Sequence, residues 1–368
     1  MRIGCSLACV RVSAGVLARM LAAPMLAMLL ASSCGVHEWP DESIPAQLEI
    51  EMVFAQDMPD YKEVDYDTRK TKTEYTSEDL DIRYTLKFYP ELPGGGYSGS
   101  EATDYTEILT RPATEGLDCS FTVTLPEGRW QVRCWADYVM KGSVDDLFYK
   151  TADFSAITVM EDYMANTDYK DAFRGSAEVS VHRVGQEQEP DKVSLEMERP
   201  LAKFRFIATD FDLLITKIMR EREAAAGSSS SATATIPVKS FNPEDYYIRF
   251  YYTSFLPCVF NMFKDKPIDS RTGDSFDSEF IPLSDKEVLM GFDYVLVNGH
   301  ESGVYVEVAL YDRKTDNLLS LTPSLLVPLV RSKVTTVSGD FLTMGVGSGI
   351  GVNPSFEEDR DEFIIRIP

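Results

Sequence analysis

Few residues in this sequence have types and spacings that could support catalysis or metal binding. The histidines, His37, His182 and His300, are far apart, and none has a nucleophile or a metal ligand beside it in sequence. No Cys-x-x-Cys or Cys/His cluster suggests zinc. A triad can be assembled from distant residues, but no pattern here points to one. We therefore predict a protein that is not an enzyme and that holds neither a cofactor nor a metal.

The clearest local chemistry belongs to Cys34. An apolar run, Met20–Leu30, gives way to Ala31-Ser32-Ser33 just before it, and three arginines lie upstream. A basic start, a short apolar centre and small residues at the end are typical of a secretory signal peptide. The run is also shorter than the roughly 20 residues that span a membrane. We therefore predict that residues 1–33 are a signal peptide.

The segment Leu30-Ala31-Ser32-Ser33-Cys34 resembles the lipobox of bacterial lipoproteins, with its leucine one position further from the cysteine than usual. The resemblance implies acylation of Cys34 by diacylglycerol and palmitate at a new N-terminus. The other interpretation is an ordinary signal peptide cleaved near Ser33, with an incidental cysteine. Residues 34–46 are predicted to be a tether, and their acids resemble the export signals of surface lipoproteins in Bacteroidales-type bacteria. The expected location is the outer membrane, lipid-anchored and facing the cell surface.

Acidic residues dominate the charge of the chain. It has 59 Asp and Glu against 36 Lys and Arg, for a formal net charge of −23. Because residues 1–33 contain three arginines and no acid, their removal would make this −26. Nucleic-acid binding requires clustered basic residues, so we expect no nucleic-acid partner. Adhesion to anionic lipid is also disfavoured, which leaves the acyl chains to provide anchoring.

The elements that would carry these residues are predicted to be strands. Apolar and polar residues alternate in segments such as Gln47–Phe54, Asp81–Tyr89 and Leu201–Ala208, and this period is typical of a strand with one buried face. The one convincing helix is Phe211–Arg222. Short strands with almost no helix predict an all-β chain of two tandem antiparallel β-sandwiches. We place the N-terminal sandwich at residues 47–198 and the C-terminal sandwich at 199–368.

Two local pairings can be predicted in more detail. A hairpin closed by Leu125–Gly128 would place Val123 opposite Trp130 and Cys119 opposite Cys134, all on one face. Cys119 and Cys134 could then form a disulfide or remain a buried pair of thiols. The second predicted strand pair is Gly291–Asn298 with Val304–Tyr311, while Pro257–Asp274 is predicted to be a loop.

Three motifs resemble those of the fimbrillin and fimbrial-anchor (type V pilus) superfamily of Bacteroidales. They are Leu125-Pro126-Glu127-Gly128-Arg129-Trp130, Arg199-Pro200-Leu201-Ala202-Lys203-Phe204, and Val327-Pro328-Leu329-Val330-Arg331-Ser332 with the later Gly339-Asp340-Phe341-Leu342. Together with the lipobox they fall in the expected order along the chain. The resemblance implies exported lipoproteins with two transthyretin-like sandwiches, which assemble by donating a strand to a neighbouring subunit.

The resemblance also implies two fates for the first strand. In polymerising members a protease cuts after an arginine beyond this strand and removes it, and Arg69 is the candidate here; a solvated loop charge is the other interpretation. Anchor-type members keep the strand and stay bound to lipid. The partners would then be the outer membrane and other fimbrial subunits.

The leading functional hypothesis is a structural or adhesive surface lipoprotein, either a fimbrial subunit or an anchor for one. The alternative is a glycan-binding surface lipoprotein, which would present exposed aromatic rings. Trp130 lies on the predicted buried face, whereas Trp135 has the opposite parity. The platform candidates are therefore Trp135 and Trp39, with core packing as the other interpretation of both.

Overall fold

The computed structural model describes residues 46–54, 75–97, 105–182, 189–227, 241–299, 302–344, 355–358 and 362–367. Most of them lie in strands, which confirms the predicted all-β class. No helix among these residues is long and apolar enough to cross a membrane. The predicted signal peptide, Cys34, Trp39 and Arg69 lie outside the described residues.

Among its described residues, the N-terminal half, up to residue 197, has nine strands. They are β1 (Ala46–Phe54), β2 (Leu80–Pro90), β3 (Thr106–Pro112), β4 (Cys119–Leu125), β5 (Gly128–Met140), β6 (Tyr149–Lys150), β7 (Ile157–Val159), β8 (Ala172–Val181) and β9 (Asp191–Met197). Two short 3-10 helices, Ala113–Glu115 and Asp168–Lys170, interrupt them. A three-stranded sheet, in the order β4-β1-β9, faces a four-stranded sheet, β3-β2-β5-β8. The inward side chains of both sheets form one core, which is the first sandwich.

The remaining elements belong to the C-terminal half. They are β10 (Leu201–Ala208), α1 (Phe211–Gly227), a 3-10 helix (Pro243–Asp245), β11 (Tyr246–Tyr252), β12 (Leu256–Asn261), β13 (Lys266–Arg271), β14 (Ser275–Ser278), β15 (Ile281–Pro282), β16 (Val288–Leu296), β17 (Ser302–Asp312), β18 (Leu318–Leu321), β19 (Leu325–Leu329), β20 (Val334–Gly339), β21 (Ser355–Glu358) and β22 (Glu362–Ile367). A six-stranded sheet, β15-β16-β10-β20-β22-β21, faces a five-stranded sheet of β14, β11, β17, β18 and β19. These two sheets enclose the second core.

Both predicted local strand pairs are wrong. β4 pairs with β1, while β5 pairs with β2 and β8 in the facing sheet. The chain therefore crosses the core at Pro126, whose carbonyl accepts a 3.0 Å hydrogen bond from the Trp130 indole. In the same way β16 pairs with β10 and β15, whereas β17 pairs with β11, β18 and β19. Apolar alternation alone could not show this, because strands of facing sheets share one core just as a hairpin does.

Some further elements differ from the prediction. The predicted loop Pro257–Asp274 contains β12 and β13, which pair with each other. Three strand pairs are parallel, namely β1 with β9, β10 with β20 and β20 with β22. Parallel strands need a long connection, and here each connection contains other strands; the one from β10 to β20 also contains α1. The helix α1 begins as predicted and ends five residues later, and it packs Leu214 and Ile218 on the second core.

A fifth sheet, which we call the bridging sheet, joins the two halves. Its order is β13-β12-β7-β6, so it takes two strands from each half. Beneath it a third core combines residues of both halves, among them Trp135, Phe260 and Phe292. The predicted division at residue 199 stays a prediction, and this shared core lies on both sides of it.

Trp135 is completely buried in this third core, so the prediction that it could form an exposed platform is wrong. Its ring lies 5.5 Å from Tyr149 and 6.1 Å from Phe260, centroid to centroid. The opposite parity of Trp130 and Trp135 is correct, because Trp130 points into the first core. What the sequence did not reveal is that the outer face of this sheet is covered as well.

Charged side chains on covered outer faces are paired. Arg83 of β2 stands opposite Asp137 of β5 and donates two hydrogen bonds to its carboxylate, at 2.9 and 2.7 Å. Between the halves, Lys170 donates to Asp293 at 2.7 Å, and both side chains are almost inaccessible to solvent. Asp293 also accepts from the hydroxyls of Tyr163 and Tyr252. A buried charge is tolerated only with such partners.

The Lys170–Asp293 pair yields a stability prediction. Asp293→Ala should lower the free energy of unfolding by about 3–5 kcal/mol, because it leaves the Lys170 ammonium buried without its carboxylate. The matched control is Asp277→Ala, which removes the partially exposed Arg249–Asp277 pair and should cost about 0–1 kcal/mol. Urea denaturation followed by tryptophan fluorescence measures both. Equal losses would show that the buried pair has no special role.

Candidate strand-exchange site

The first described strand, β1, is the middle strand of its sheet. On one side it pairs antiparallel with β4, from Ala46 opposite Leu125 to Met52 opposite Cys119. On the other side it pairs parallel with β9, from Leu48 opposite Asp191 to Phe54 opposite Met197. β4 and β9 do not pair with each other. Removing β1 would therefore leave a groove between two strands, each with an unpaired backbone edge.

The inward face of β1 fills the base of this groove. Leu48 and Ile50 have no exposed surface and Met52 has 1%. Beneath them lie side chains of the facing sheet, including Leu86 and Val132. Burying a side chain of this size contributes about 1.5–3 kcal/mol. Much of the cohesion of the first sandwich therefore depends on β1.

The outward face of β1 is polar and contributes little energy. Glu49 pairs with Lys192 of β9 at 3.1 Å, with both side chains partly in solvent. A surface pair of this kind is worth about 0–1 kcal/mol. At the far end of the strand, Phe54 packs edge-on against Phe173, with ring centroids 5.0 Å apart. The affinity of the groove for β1 thus comes from backbone pairing and from the inward side chains.

The chain topology separates β1 from its own partners. The next described strand, β2, lies in the facing sheet, and the two neighbours of β1 come from far along the chain. Residues 55–79 are the single covalent connection from β1 to the rest of the sandwich, and they contain Arg69. A cut in this segment would leave β1 held by non-covalent contacts alone.

The cysteines of the predicted hairpin lie in facing sheets at the same core. Cys134 is buried, Cys119 is half-buried, and the structure describes both as free thiols. Burial raises the pKa of both thiols, well above the usual value for Cys134. The reactive thiolate form is therefore scarce at neutral pH. The disulfide between them stays a prediction.

Other chemistry is sparse in the described part of the chain. No group of three or more His, Cys, Asp or Glu within it could hold a metal ion. His182 lies at the surface with its Nδ1 3.2 Å from Asp191, while His37 and His300 lie outside the described residues. The absence of an enzymatic activity stays a prediction.

Sequence reasoning found β1 as a strand but missed its place in the sheet. The alternation of Leu48, Ile50 and Met52 indicated one buried face, and the structure agrees. No residue of β1 indicates that β4 and β9 lie on either side of it. The alternation in β9 was the available signal, but any strand of the same core shows this period.

Comparison with known proteins places the chain among sequences without an assigned role. Residues 45–366 match a family described as a family of unknown function, DUF6562. No curated protein matches the chain.

Several solved structures resemble the chain at low identity. A putative polysaccharide-binding protein (DUF1812) from Bacteroides thetaiotaomicron has 10% identity and a TM-score of 0.38, with 75% of this chain and 79% of that chain covered. The fimbrial anchor protein Mfa2 from Porphyromonas gingivalis has 10% identity and a TM-score of 0.35, with 76% of this chain and 82% of that chain covered. The tip fimbrial protein Mfa3 from the same organism, with a C-terminal truncation, has 10% identity and a TM-score of 0.33, with 77% of this chain and 81% of that chain covered. These structures include the fimbrial proteins that the sequence motifs resemble, but likeness at this level carries no functional conclusion.

The inward face of β1 can be tested by substitution. Ile50→Ala should lower the free energy of unfolding by about 2–5 kcal/mol, because it leaves a cavity at the base of the groove. Glu51→Ala, on the exposed face of the same strand, is the control and should change it by less than about 0.5 kcal/mol. Chemical denaturation compares the two variants. If Ile50→Ala costs no more than Glu51→Ala, β1 is not part of the cooperative core.

Proposed function

The chain belongs to the family of unknown function DUF6562, and we propose that it is a cell-surface subunit that joins other subunits by exchanging β-strands. In this role it is a structural or adhesive protein of a fimbrium, without enzymatic activity. The observation that carries the proposal is the position of β1, the first described strand, which is inserted between β4 and β9 with its apolar face in the core.

Strand exchange follows from the two contributions that hold β1. Backbone hydrogen bonds to both neighbours provide affinity for any strand of suitable length, and alternate side chains select the register. A donor strand must therefore present apolar residues where Leu48, Ile50 and Met52 now lie. A donor strand shifted by one residue would be rejected, because the shift places every side chain on the opposite face and puts polar residues in the core.

The fate of β1 defines two versions of the role. If the chain is cut after Arg69, the groove opens and a neighbouring subunit fills it, which makes the protein a polymerising pilin. If β1 stays in place, the subunit has no open groove of its own and remains attached as an anchor. N-terminal sequencing of the mature protein distinguishes the two, since a new N-terminus at Lys70 belongs to the first version alone.

We also propose that Cys34 anchors the protein in the outer membrane and that residues 34–46 form a tether to the first sandwich. This segment ends at Ala46, where β1 begins. The charge of the chain supports lipid anchoring over electrostatic adhesion, because its formal value is −23 and anionic headgroups would repel it.

Exchange can be measured after one specific cut. A recognition site for a sequence-specific protease is inserted beside Arg69, the purified protein is cut, and a fluorescent peptide with the β1 sequence AQLEIEMVF is added in excess. We expect the peptide to replace the native strand over time, detected as labelled protein on gel filtration. A peptide carrying Ile50→Asp is the control and should not bind, because it would bury a carboxylate in the core.

Two outcomes would contradict strand exchange. One is the absence of label on the cut protein, even in mild denaturant that loosens β1. The other is equal labelling by the peptide with Ile50→Asp, which would mean that binding does not use the groove.

Anchoring can be tested independently at Cys34. In the native host, Cys34→Ala should move the protein from the outer-membrane fraction to the soluble fraction, because a membrane-bound state needs acyl chains. Cys9→Ala, which removes a cysteine within the predicted signal peptide, should leave partitioning unchanged. Intact mass of the mature protein measures acylation directly. Membrane partitioning of Cys34→Ala would show that the anchor lies elsewhere.

A further inference from the structure

A cavity of about 200 Å³ lies between the two halves, on the four-stranded sheet of the first sandwich. Its apolar wall consists of Ile82, Leu117 and Phe173, and Tyr294 of β16 closes it from the C-terminal half. Its volume is below the roughly 300–1,000 Å³ of sites for drug-sized ligands. The cavity therefore has space for one small ring and not for a chain of several.

The charged groups at the cavity compensate one another. Arg199 donates from its Nε to both carboxylate oxygens of Asp171, at 3.0 and 2.8 Å. Lys203 donates to Oδ1 of Asp168 at 2.8 Å, and the Tyr294 hydroxyl donates to the same oxygen at 2.7 Å. Two carboxylates thus face two cations at short range. A charged ligand would have to disrupt one of these pairs, so the cavity favours a neutral ligand.

Two polar groups of the cavity have no partner among the described residues. The Tyr138 hydroxyl makes no hydrogen bond there, although Tyr138 lines the cavity and its ring packs edge-on against Tyr169 at 5.3 Å. The second oxygen of Asp168, Oδ2, likewise accepts none. Both side chains are partly accessible, and 21% of the Asp168 side chain is exposed. A ligand in the cavity can therefore reach the Tyr138 hydroxyl and Oδ2 of Asp168 and form hydrogen bonds with both.

These two groups specify complementary hydrogen-bonding partners. A carboxylate oxygen accepts, so the ligand must donate to Asp168; a phenol both donates and accepts, so Tyr138 can serve either role. Burial raises the pKa of Tyr138, which keeps its proton in place at neutral pH. Hydroxyl groups of one ring both donate and accept, so they suit both partners, while the C–H face of the ring can pack on Phe173.

We propose that this cavity binds a single ring of a neutral polyhydroxylated compound, either a sugar residue or a cyclitol. Tyr138 and Asp168 hydrogen-bond its hydroxyls, and the wall of Ile82, Leu117 and Phe173 contacts its apolar face. The inference is independent of strand exchange, because none of these residues belongs to β1, β4 or β9. The one connection between the cavity and β1 described above is Phe173, which lines the cavity and contacts Phe54 at the end of β1.

The test is saturation-transfer difference NMR on the full mature chain. The probes are methyl glycosides of galactose, glucose, mannose, fucose and N-acetylglucosamine, the corresponding free sugars, and myo-inositol, with glucuronate and glucosamine as charged counterparts. We expect at least one neutral ring to receive saturation, and its charged counterpart to receive less. Binding of a methyl glycoside would indicate the terminal residue of a glycan, whereas binding of free sugar or inositol alone would indicate a soluble metabolite.

Two variants connect the signal to the cavity. Tyr138→Phe removes one hydroxyl without changing the packing and should weaken binding about 3- to 10-fold. Its control is Tyr305→Phe, at an exposed tyrosine of the C-terminal half, which should bind normally. Ala113→Leu should fill the cavity and abolish binding, while Thr114→Leu at the adjacent exposed position should not.

Each remaining outcome overturns the proposal. The first is no saturation of any neutral probe by the wild-type chain. The second is binding that Tyr138→Phe and Ala113→Leu leave unchanged, which would place the ligand elsewhere. The third is preferential binding of glucuronate or glucosamine, which would show that the charges in the cavity are not compensated. Failure of strand exchange would affect none of these readouts, so the two proposals fail separately.

Discussion

Coverage of a sheet on both of its faces is the constraint on which the rest of this structure depends. All residues of β16 are buried, and so are those of β2 except its last. One face of each strand looks into its own sandwich, and the opposite face looks toward the other half and the bridging sheet. Because no face is left to solvent, side chains that would otherwise be solvated must find partners inside the protein.

The buried ion pairs are the direct consequence of this coverage. Arg83 and Asp137 are neighbours across two strands, a position where opposite charges stabilise a sheet even at its surface. Here the pair is enclosed, and the guanidinium also reaches Asp146 at 2.8 Å. Lys170 and Asp293, which join the two halves, are enclosed in the same way. Such pairs are weak evidence of net stability, since their desolvation is costly, but losing one partner is severe. The Lys170–Asp293 pair therefore ties the two halves to one arrangement.

The cavity and the groove of β1 show two ways in which this fold can recognise a partner. The groove offers a continuous backbone and a row of apolar positions, which suits an extended strand. The cavity is a small concave space at the junction of the halves, where paired charges lie beside the Tyr138 hydroxyl and the Asp168 carboxylate. Both are products of assembly, since residues distant in sequence form each of them. Phe173 contributes to both regions, because it packs on Phe54 and lines the cavity.

The sequence by itself determined the elements that depend on local pattern. Leu201–Ala208 was located to the residue, and Leu48, Ile50 and Met52 were placed on a buried face, because alternation reports which side of a strand meets a core. Tertiary structure decided which strands pair. Val123 and Trp130 share a core in either a hairpin or two facing sheets, so alternation could not choose between them. It also decided that Trp135 is buried. This residue lies on the outer face of its sheet, as the sequence predicted, but the bridging sheet covers that face. The physical reason is that the period of a strand records the presence of a buried face, whereas pairing and coverage depend on contacts between residues far apart in the chain.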